Sequence, residues 1–557
     1  MLLEFVFEYS SSSLVYEKVL LRVLKNSNLE GKLVKIDKTI KLYVSSENSV
    51  ELEEFANKLS LELPHSIFLN NTEVNVVDTL PEEEFVLEEK SKPALSFCPS
   101  CLKKVLDESS ADFYNSFCEC EVCGYDVNLD AKNHQTDFQR IAKSISDGNI
   151  VKVNTFYGEY FLGKLSQKCN DISFDILSYD LSSIQNYTSA TENEIIALGA
   201  IEKPLIELKT NLKFKVDFEG VEKELVRFKL ADDLILHFIS LELQKNGINF
   251  VFMTQDKIDY QDELLLIEPK INLKPIECVV GEKNIIILSG NKGLPKFNLS
   301  SEKVVPFVGA FNSVIKEHKL FDKTVVGLNL SKDYHNNILA FSKKFGMIEY
   351  LSFKFEFSSI AQIFEAIDAS DEKASKLLSS YKEKYPEHCE KISKITFDDK
   401  DLNVYKLWGI IAIILDMSDD EDLYESANTL EKNAKLFLGS KGPRIDYKLS
   451  TIKGKVFLDP LMVIRTAMTF RLAGIDPLSL CYGVIESFVE FVSGQLDDIK
   501  ESLSTDVVVV TGSLLGNNHL FSKLDKEVSI NHELYFNKEI SVDGDNILYG
   551  GNELVAD

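Results

Sequence analysis

The chain has 557 residues, which is more than one hydrophobic core accommodates, so three or four domains are expected. Its hydrophobic content of 45% and charged content of 27% are typical of a globular protein rather than a disordered or fibrous one. The formal net charge of -27 repels nucleic acids and anionic membranes, so neither is expected as a partner.

The N-terminal segment and the cysteines together indicate a reducing compartment. Residues 1–13 (MLLEFVFEYSSSS) contain no basic region followed by a long apolar run, so no secretion signal is predicted. No uncharged apolar stretch is long enough to cross a bilayer. Of the nine cysteines, five lie between positions 98 and 123, a crowding that favours metal binding over a disulfide framework. We therefore expect a cytoplasmic protein.

Residues 1–80 alternate between strand-like and helix-like segments. The β-rich runs LLEFVFEY and KLYVSS predict strands, at 2–9 and 41–46. Apolar residues at helical spacing predict helices over 16–27 and 50–63. This β-α-β then β-α-β order is the ferredoxin-like arrangement. An acidic stretch at 81–93 follows it.

Four cysteines carry the sharpest chemical signal of the chain. They form two C-x2-C pairs, Cys98 with Cys101 and Cys120 with Cys123, separated by eighteen residues. Zinc binds four thiolates in a tetrahedron, and two such pairs at roughly this separation are a known zinc pattern. Pro99 and Gly124 supply turns beside the pairs. Two alternatives stay open: Cys118 as a ligand in place of Cys120, and four reduced thiols without metal.

The remainder of the chain predicts two further α/β regions. In the first, a helix over 138–145 and a helix over 230–247 accompany short strands, and Gly247 is a plausible helix end; the strands lie at 149–156, 203–208 and 249–256. In the second, strands alternate with long helices, which predicts a large α/β domain; the clearest segments are 284–290, 324–330, 371–385, 423–437 and 507–512.

Taken in order, these segments resemble the hydrogenase maturation carbamoyltransferases of the HypF type over essentially the whole chain. The zinc spacing with FCECEVCGY at 117–125 is the strongest match. Five weaker matches follow in the same order as in the family: LADDLILHF at 230–238, FVFMTQD at 250–256, NLSKDYHNNILA at 329–340, LYESANTLE at 423–431 and TGSLLGNN at 511–518.

The resemblance implies an α/β and α+β multidomain fold with four parts. These would be a ferredoxin-like, acylphosphatase-like domain at 1–90, a four-cysteine zinc finger at 91–130, a YrdC-like α/β domain at 131–278 and an actin/hsp70-like domain at 279–557. In this family carbamoyl phosphate is hydrolysed, ATP converts the carbamate to carbamoyl-adenylate, and the carbamoyl group passes to a partner's C-terminal cysteine. That group becomes a cyanide ligand of a nickel–iron hydrogenase.

The family's phosphate-binding loop, which is rich in glycine and ends in arginine, matches residues 9–22 (YSSSSLVYEKVLLR). The glycines are missing, and Glu17 stands near the place of the arginine, where a carboxylate repels phosphate. Arg22 lies a few residues further on. We expect the serines Ser10 to Ser13 to form a solvated loop and the phosphatase activity to be absent.

The YrdC-like segment also departs from the family pattern. Asn154 stands where the family has a lysine, and Asp232 and Asp233 add negative charge beside any triphosphate. The polar residues with a family counterpart are Lys203, Thr254 and His237; Lys203 and Thr254 are predicted nucleotide contacts. His237, on an apolar helix, is expected to be a satisfied core histidine.

The C-terminal domain of the family binds a metal through a histidine-rich segment and a late aspartate. The matching residues 351–367 (LSFKFEFSSIAQIFEAI) contain no histidine. Asp543 and Asp545 flank the glycine that takes the place of the late aspartate, and we expect them to form a turn. Predicted nucleotide contacts are Glu425, Gly512, Gly516 and Asn517, with a tight strand-to-helix turn as the alternative for the glycine loop.

Together these residues predict a zinc-binding relative of the maturation carbamoyltransferases in which the catalytic sites are eroded and no catalytic residue can be assigned. If active, the chain would be an ATP-dependent carbamoyltransferase that uses carbamoyl phosphate, and its expected cofactors are a structural zinc and ATP with Mg²⁺. The alternative is a non-catalytic scaffold or a nucleotide-sensing regulatory protein. In either case the expected partner is a maturation protein that accepts a carbamoyl group on a C-terminal cysteine.

Overall fold

The structure is a computed structural model that describes residues 1–87, 95–123, 131–269, 273–397, 402–452 and 455–551. These residues form two compact units. The first contains the described residues of Met1–Cys278 together with Ser289–Lys296. The second contains Val279–Leu288 and the described residues from Phe297 onward. No helix in the described ranges combines the length and apolarity needed to cross a bilayer.

The first unit begins with a four-stranded antiparallel sheet in the order β2-β3-β1-β4. The central strand β1 pairs Phe5 with Leu42 on one side and with Val74 on the other. This order confirms the predicted ferredoxin-like arrangement. Its elements are β1 (Leu2–Tyr9), α1 (Val15–Lys25), β2 (Glu30–Ile36), β3 (Thr39–Ser45), α2 (Ser49–Glu62) and β4 (Leu69–Val77).

A short helix, α3 (Pro99–Leu106), follows the first undescribed gap; Cys98 is its N-cap residue and Cys101 lies in its first turn. Pro99 occupies the first helical position, where its missing N–H costs no hydrogen bond. Gly124, the other predicted turn residue, and much of the acidic stretch lie outside the described residues.

A seven-stranded mixed sheet then forms in the order β11-β5-β6-β10-β7-β9-β8. The helices and strands of this region are α4 (Gln135–Ser146), β5 (Val151–Thr155), β6 (Gly158–Lys164), β7 (Asp175–Ser178), α5 (Leu181–Tyr187), α6 (Glu192–Gly199), β8 (Ile206–Lys209), α7 (Leu212–Asp217), β9 (Leu225–Leu230), α8 (Leu234–Lys245), β10 (Phe250–Thr254) and β11 (Asp262–Leu264). Helix α8 starts where the Asp233 carboxylate accepts the Ile235 N–H. It ends at Lys245 with Asn246 as the C-cap, and Gly247 follows in the left-handed region with φ +76°.

A two-stranded ribbon, β12 (Glu277–Val280) with β13 (Ile285–Ser289), precedes the second seven-stranded sheet. That sheet has the order β17-β18-β16-β15-β14-β19-β20. Its strands are β14 (Val325–Asn329), β15 (Asn337–Ser342), β16 (Gly346–Ser352), β17 (Leu449–Ile452), β18 (Lys455–Leu458), β19 (Val507–Thr511) and β20 (Glu533–Tyr535).

Two neighbouring strands of this sheet, β14 and β19, are parallel and buried along their whole length. A strand covered on both faces is apolar throughout, which explains the runs VVGL and VVVV. The helices of this unit are α9 (Pro306–Glu317), α10 (Ile360–Ser370), α11 (Glu372–Lys384), α12 (Pro386–Ile392), α13 (Val404–Ile414), α14 (Leu423–Leu436), α15 (Pro460–Leu472), α16 (Pro477–Leu503), α17 (Asn518–Val528) and α18 (Asp545–Gly550).

Candidate functional site

The four predicted zinc ligands converge in the structure. The Cys98 sulfur lies 3.7 Å from that of Cys101 and 3.8 Å from that of Cys120, and the sulfurs of Cys101 and Cys123 are 3.8 Å apart. All four lie within 4.8 Å of one another. A tetrahedral ion with metal–sulfur bonds of about 2.3 Å requires sulfur–sulfur edges of about 3.8 Å. The predicted four-cysteine cluster is therefore confirmed, and its donors and spacing suit a zinc-sized, thiophilic ion.

Cys118 lies beside this cluster rather than within it. Its thiol donates to the Glu119 carbonyl at 3.8 Å, and its sulfur is outside the set of four. Cys118 is 2% exposed, whereas Cys120 is only half-buried. The geometry favours Cys120 as the fourth ligand.

The serine loop of the N-terminal sheet is not solvated as predicted. Ser10 and Ser11 are both buried, and the Ser10 hydroxyl donates to the Phe68 carbonyl at 3.0 Å. Glu17 is also buried, and one carboxylate oxygen lies 2.5 Å from the Lys35 ammonium. The prediction of a solvated loop is wrong for Ser10 and Ser11 because their hydroxyls serve packing inside the domain. Among the described residues, the Glu17–Lys35 ion pair lies at the place on α1 where the resemblance predicts an arginine.

A buried charge cluster lies in the YrdC-like region. The two carboxylate oxygens of Asp232 each lie 2.9 Å from a lysine nitrogen, one from Lys229 and one from Lys292. The Lys292 ammonium also sits 3.8 Å from the centre of the Tyr157 ring. Burial raises the pKa of Asp232, but the two lysines outweigh burial and hold that pKa below its ordinary value. The negative charge predicted for Asp232 is thus neutralised within the fold.

Lys203 lies close enough to Asp232 and His237 to interact electrostatically with both. Its backbone is in the left-handed region at φ +48°, and its ammonium donates to the Gly199 carbonyl at 3.0 Å. Burial lowers its pKa to about 8. Thr254, at the end of β10, is buried and its hydroxyl accepts the Asp256 N–H.

Two other polar side chains of this region have unmet hydrogen-bonding capacity. His237 is buried as expected, but its Nε2 has no hydrogen-bond partner among the described residues. The prediction of a satisfied histidine is therefore wrong at this atom. The Oδ1 atom of Asn154 is likewise buried without a partner in the described part of the chain. Unpaired buried polar atoms are rare in folded proteins and often mark a place where a ligand or ordered water binds.

In the second unit, a hydrogen-bonded network joins the loops that follow β14 and β19. Asp543 accepts the Ser513 N–H at 2.6 Å and the Tyr334 hydroxyl. The Lys332 N–H donates to the Ser513 hydroxyl at 2.9 Å, and the Lys332 ammonium donates to Glu431 at 2.7 Å. Because parallel strands end at the same sheet edge, this network lies where α/β sheets most often bind ligands.

Asp543 does lie in a turn, with φ +52°, but it does more than the predicted turn residue. A non-glycine residue in this region is strained, and such strain is frequent at functional sites. Its carboxylate connects the turn to both strand-end loops. Asp545 begins α18.

The predicted nucleotide residues of this unit lie around the same edge. Glu425 is exposed near the start of α14, and its carboxylate accepts a hydrogen bond from the Asn428 amide. The Tyr405 hydroxyl lies between Asn428 and Glu431 and hydrogen-bonds to both side chains. Gly512 has φ +117°, and a side chain there would meet the Leu330 carbonyl at 2.2 Å. Gly516 ends a short 3-10 turn, and Asn517 caps α17 through its Oδ1. The Asn517 amide nitrogen is buried without a partner among the described residues.

The histidine-free segment 351–367 belongs to the apolar core. Phe353, Phe355 and Ile360 are all buried in the main core cluster of the unit. Across the described ranges, the four cysteines are the only group of three or more histidine, cysteine or acidic residues with metal-binding spacing.

Sequence reasoning did not identify five residues of these networks: Lys229, Lys292, Lys332, Tyr334 and Glu431. Lys229 and Lys292 are more than sixty residues apart, and no sequence spacing signals that they share one aspartate. Lys332 and Tyr334 lie within the matched segment 329–340, so their position after a predicted strand was the available signal.

No family model matches the chain. A curated relative named "Protein HydE", from Wolinella succinogenes, is 25% identical over 560 residues and is covered completely, with 98% of this chain matched. Two crystal structures of HypF cover 100% of this chain and are themselves covered to 98%. The HypF of T. kodakarensis has a TM-score of 0.70 at 11% identity, and a full-length HypF in a phosphate- and nucleotide-bound form has a TM-score of 0.65 at 12% identity. The chain therefore has the HypF fold along its whole length, which confirms the predicted multidomain fold class and the resemblance to this family.

Proposed function

We propose that the chain is a zinc-containing protein of the hydrogenase maturation carbamoyltransferase family. Its role would be carbamoyl transfer for assembly of the cyanide ligands of nickel–iron hydrogenase. Alternatively, it would descend from a protein with that role. The observation that carries this proposal is the full-length HypF fold combined with a four-cysteine cluster of tetrahedral spacing. The division into four domains at 1–90, 91–130, 131–278 and 279–557 is part of the proposal.

Zinc is proposed as the ion of the cluster because its preferred ligand set is four thiolates at these distances. The ion would be held by Cys98, Cys101, Cys120 and Cys123. A zinc ion with four protein ligands has no open position for substrate, so it would stabilise the fold and take no part in catalysis. The cytoplasm, where thiols stay reduced, is the proposed compartment.

We further propose that the family's catalytic sites are eroded. Glu17 pairs with Lys35 where the resemblance places a phosphate-binding arginine, and a buried carboxylate disfavours an anion at that place. The segment matching the metal-binding histidines packs phenylalanines into a core and offers no imidazole. The support for this view is therefore chemical: a carboxylate of unsuitable charge stands at the first site, and side chains without a ligand atom stand at the second.

Nucleotide binding is the activity most compatible with the remaining polar groups. One of the HypF structures is described as nucleotide-bound. In this chain, the network of Asp543, Tyr334, Lys332 and Glu431 places carboxylates and a cation at the carboxyl ends of β14 and β19. Carboxylates at such an edge suit Mg²⁺ with a nucleotide phosphate. Lys203 and Thr254 are proposed contacts in the YrdC-like region.

The second candidate is a non-catalytic scaffold or nucleotide sensor that binds a maturation partner. The internal pairing of Asp232 with Lys229 and Lys292 favours it, because charges that neutralise one another stabilise the fold without a substrate. In both versions the proposed partner is a maturation protein with a C-terminal cysteine that accepts a carbamoyl group.

The deciding experiment measures cleavage of ATP to AMP and pyrophosphate by the purified zinc-loaded protein, with and without carbamoyl phosphate. The eroded-site proposal predicts no turnover that depends on carbamoyl phosphate. Equilibrium binding of ATP with Mg²⁺ is measured in parallel on the wild type and on Lys332→Ala. The exposed Lys257→Ala variant serves as the matched control.

Each outcome selects one version. Carbamoyl-phosphate-dependent AMP formation would refute the eroded-site proposal and establish an active transferase. ATP binding without turnover, weakened by Lys332→Ala and not by Lys257→Ala, would support the sensor. A folded protein that holds zinc but binds no ATP would support the scaffold.

A further inference from the structure

Two aromatic side chains of the cysteine-bearing segment, residues 95–123, pack against helix α8; this segment is called the metal module below. Phe97 directly precedes the first cysteine, and its ring centre lies 5.1 Å from that of His237. Tyr114 lies between the two cysteine pairs, and its ring stacks on the Phe238 ring at 4.6 Å. All four rings belong to buried residues, so these contacts are part of the core of the first unit.

Polar contacts fix Tyr114 on the same helix. Its hydroxyl donates to the Glu242 carboxylate and accepts from the Lys245 ammonium, the latter at 2.9 Å. Phe238, Glu242 and Lys245 are spaced three or four residues apart, so they share one face of α8. On the side of the metal module, the Tyr114 N–H donates to the Val105 carbonyl of α3 at 2.9 Å. Tyr114 therefore connects α3 directly with α8.

The metal module is too small to hold a core of its own. Among the described residues 95–123, α3 is the one regular element, and the cysteines form no disulfide. A chain of fewer than about 40 residues usually needs a metal, disulfides or a partner to stay folded. In such a segment the free energy of metal binding is free energy of folding. Removal of the ion is therefore expected to unfold the module and to withdraw Phe97 and Tyr114 from α8.

Helix α8 begins at the buried charge cluster described above. Its N-cap residue is Asp233, and the residue before that is Asp232, the centre of the cluster. Withdrawal of Tyr114 would expose the Phe238 ring to water and leave the buried Glu242 carboxylate without the hydroxyl that now donates to it. Both changes cost free energy in the folded state, so α8 would loosen.

We propose that the metal module is a structural support of α8, so that a metal ion on the four cysteines orders this helix and, through it, the charge cluster at Asp232. Phe97 and Tyr114 are the residues that transmit the effect. The inference rests on the proposed zinc. Coupling between two sites is reciprocal, so contact with α8 also strengthens the hold of the module on its ion. The metal content of the cluster thereby controls the order of the YrdC-like region.

Hydrogen exchange of the full-length protein, with zinc and after its removal by a chelator under reducing conditions, tests the first direction. Zinc removal should lower amide protection in 95–123 and in α8 (Leu234–Lys245). Protection of α13 (Val404–Ile414), a buried helix of the second unit, should not change. In Tyr114→Ala, α8 should be less protected with zinc present and should respond less to its removal. A wild-type α8 that keeps its full protection without zinc would overturn the inference.

Zinc affinity, measured by competition with a chromogenic chelator, tests the reverse direction in the wild type, Glu242→Ala and Asn246→Ala. Glu242→Ala lies outside the metal module and removes the acceptor of the Tyr114 hydroxyl, while alanine favours the helix itself. Asn246 is the exposed C-cap of the same helix and serves as the matched control.

Coupling between linked sites is typically about 5–150-fold, so zinc affinity in Glu242→Ala should fall at least about fivefold, and Asn246→Ala should match the wild type. Equal affinity in Glu242→Ala and the wild type would contradict the coupling while leaving the metal site in place. A wild type that holds no zinc would overturn the proposed metal site, and the coupling with it.

Discussion

Cys118 and Cys120 are separated by one residue, yet their surroundings differ. Cys118 is buried and donates to the Glu119 carbonyl, whereas Cys120 is half-buried and its sulfur lies 3.8 Å from that of Cys98. A tetrahedral site has four corners, and three are occupied by Cys98, Cys101 and Cys123, so only one of these two sulfurs can take the fourth. The residue at position 120, rather than the more buried neighbour, completes the set of four.

This difference predicts opposite results for two similar substitutions. Cys118→Ser should keep one equivalent of zinc, because no ligand is lost. Cys120→Ser should lose most of its zinc, because only three thiolates remain. Metal analysis by mass spectrometry on dialysed protein measures both. Full zinc retention in Cys120→Ser together with loss in the double variant would show that Cys118 replaces Cys120.

His237 predicts a pH dependence of stability. Burial, aided by the nearby Lys203 ammonium, lowers the pKa of His237 to about 4 from its ordinary value of 6.5. Between these values the unfolded chain binds a proton that the folded protein does not, so the free energy of unfolding falls as pH falls from about 6.5 to 4. The full shift corresponds to about 3 kcal/mol.

The measurement is urea unfolding of the wild type and His237→Phe at pH 7, 5.5 and 4.5. Phenylalanine cannot bind a proton and can keep the ring contacts with Phe97 and Tyr179. The variant should therefore gain stability relative to the wild type as the pH falls. A difference between the two proteins that is constant with pH would contradict the assignment.

At the scale of elements, the turn after β19 depends on a glycine. Gly512 has φ +117°, and an added methyl group would meet the Leu330 carbonyl at 2.2 Å. Gly474 offers a matched control, since it has φ +78° with no atom within 4 Å of the added carbon. Alanine at Gly474 would therefore add backbone strain alone, whereas alanine at Gly512 would add both backbone strain and a steric clash.

We expect Gly474→Ala to cost roughly 1–3 kcal/mol of unfolding free energy, the usual cost of such a conformation. Gly512→Ala should cost more, because the Leu330 loop must also move. Urea unfolding at neutral pH measures both. Equal costs at the two positions would mean that the loop after β14 adapts freely.

Most elements of this chain could be predicted from local pattern, whereas the sites could be predicted only in part. The apolar runs of β14 and β19 and the helical spacing of α11 and α14 are local signals, and the structure confirms them. The cysteine spacing is also local. The partners of Asp232 are not, because Lys292 reaches it from sixty residues away.

At the scale of the whole molecule, the stability of the first unit depends on a segment beyond its main stretch. Lys292 belongs to Ser289–Lys296 and pairs with the buried Asp232. Lys292→Met leaves Asp232 with one lysine, and breaking a buried pair typically costs about 3–5 kcal/mol. Thermal or urea unfolding of the full chain should show this loss, while the exposed Lys257→Met should not. Equal stability of the two variants would mean that Lys229 alone neutralises Asp232.

The interleaved order of the two units also bears on how such a chain can be inherited or rebuilt. Residues Val279–Leu288 belong to the second unit, yet Ser289–Lys296 returns to the first. A single crossover in the gene near position 278 would separate Lys292 from the first unit's Asp232 and leave Asp232 without this lysine. Exchange of complete units between relatives would need three coordinated breakpoints, so the two units are expected to share one ancestry and to diverge together.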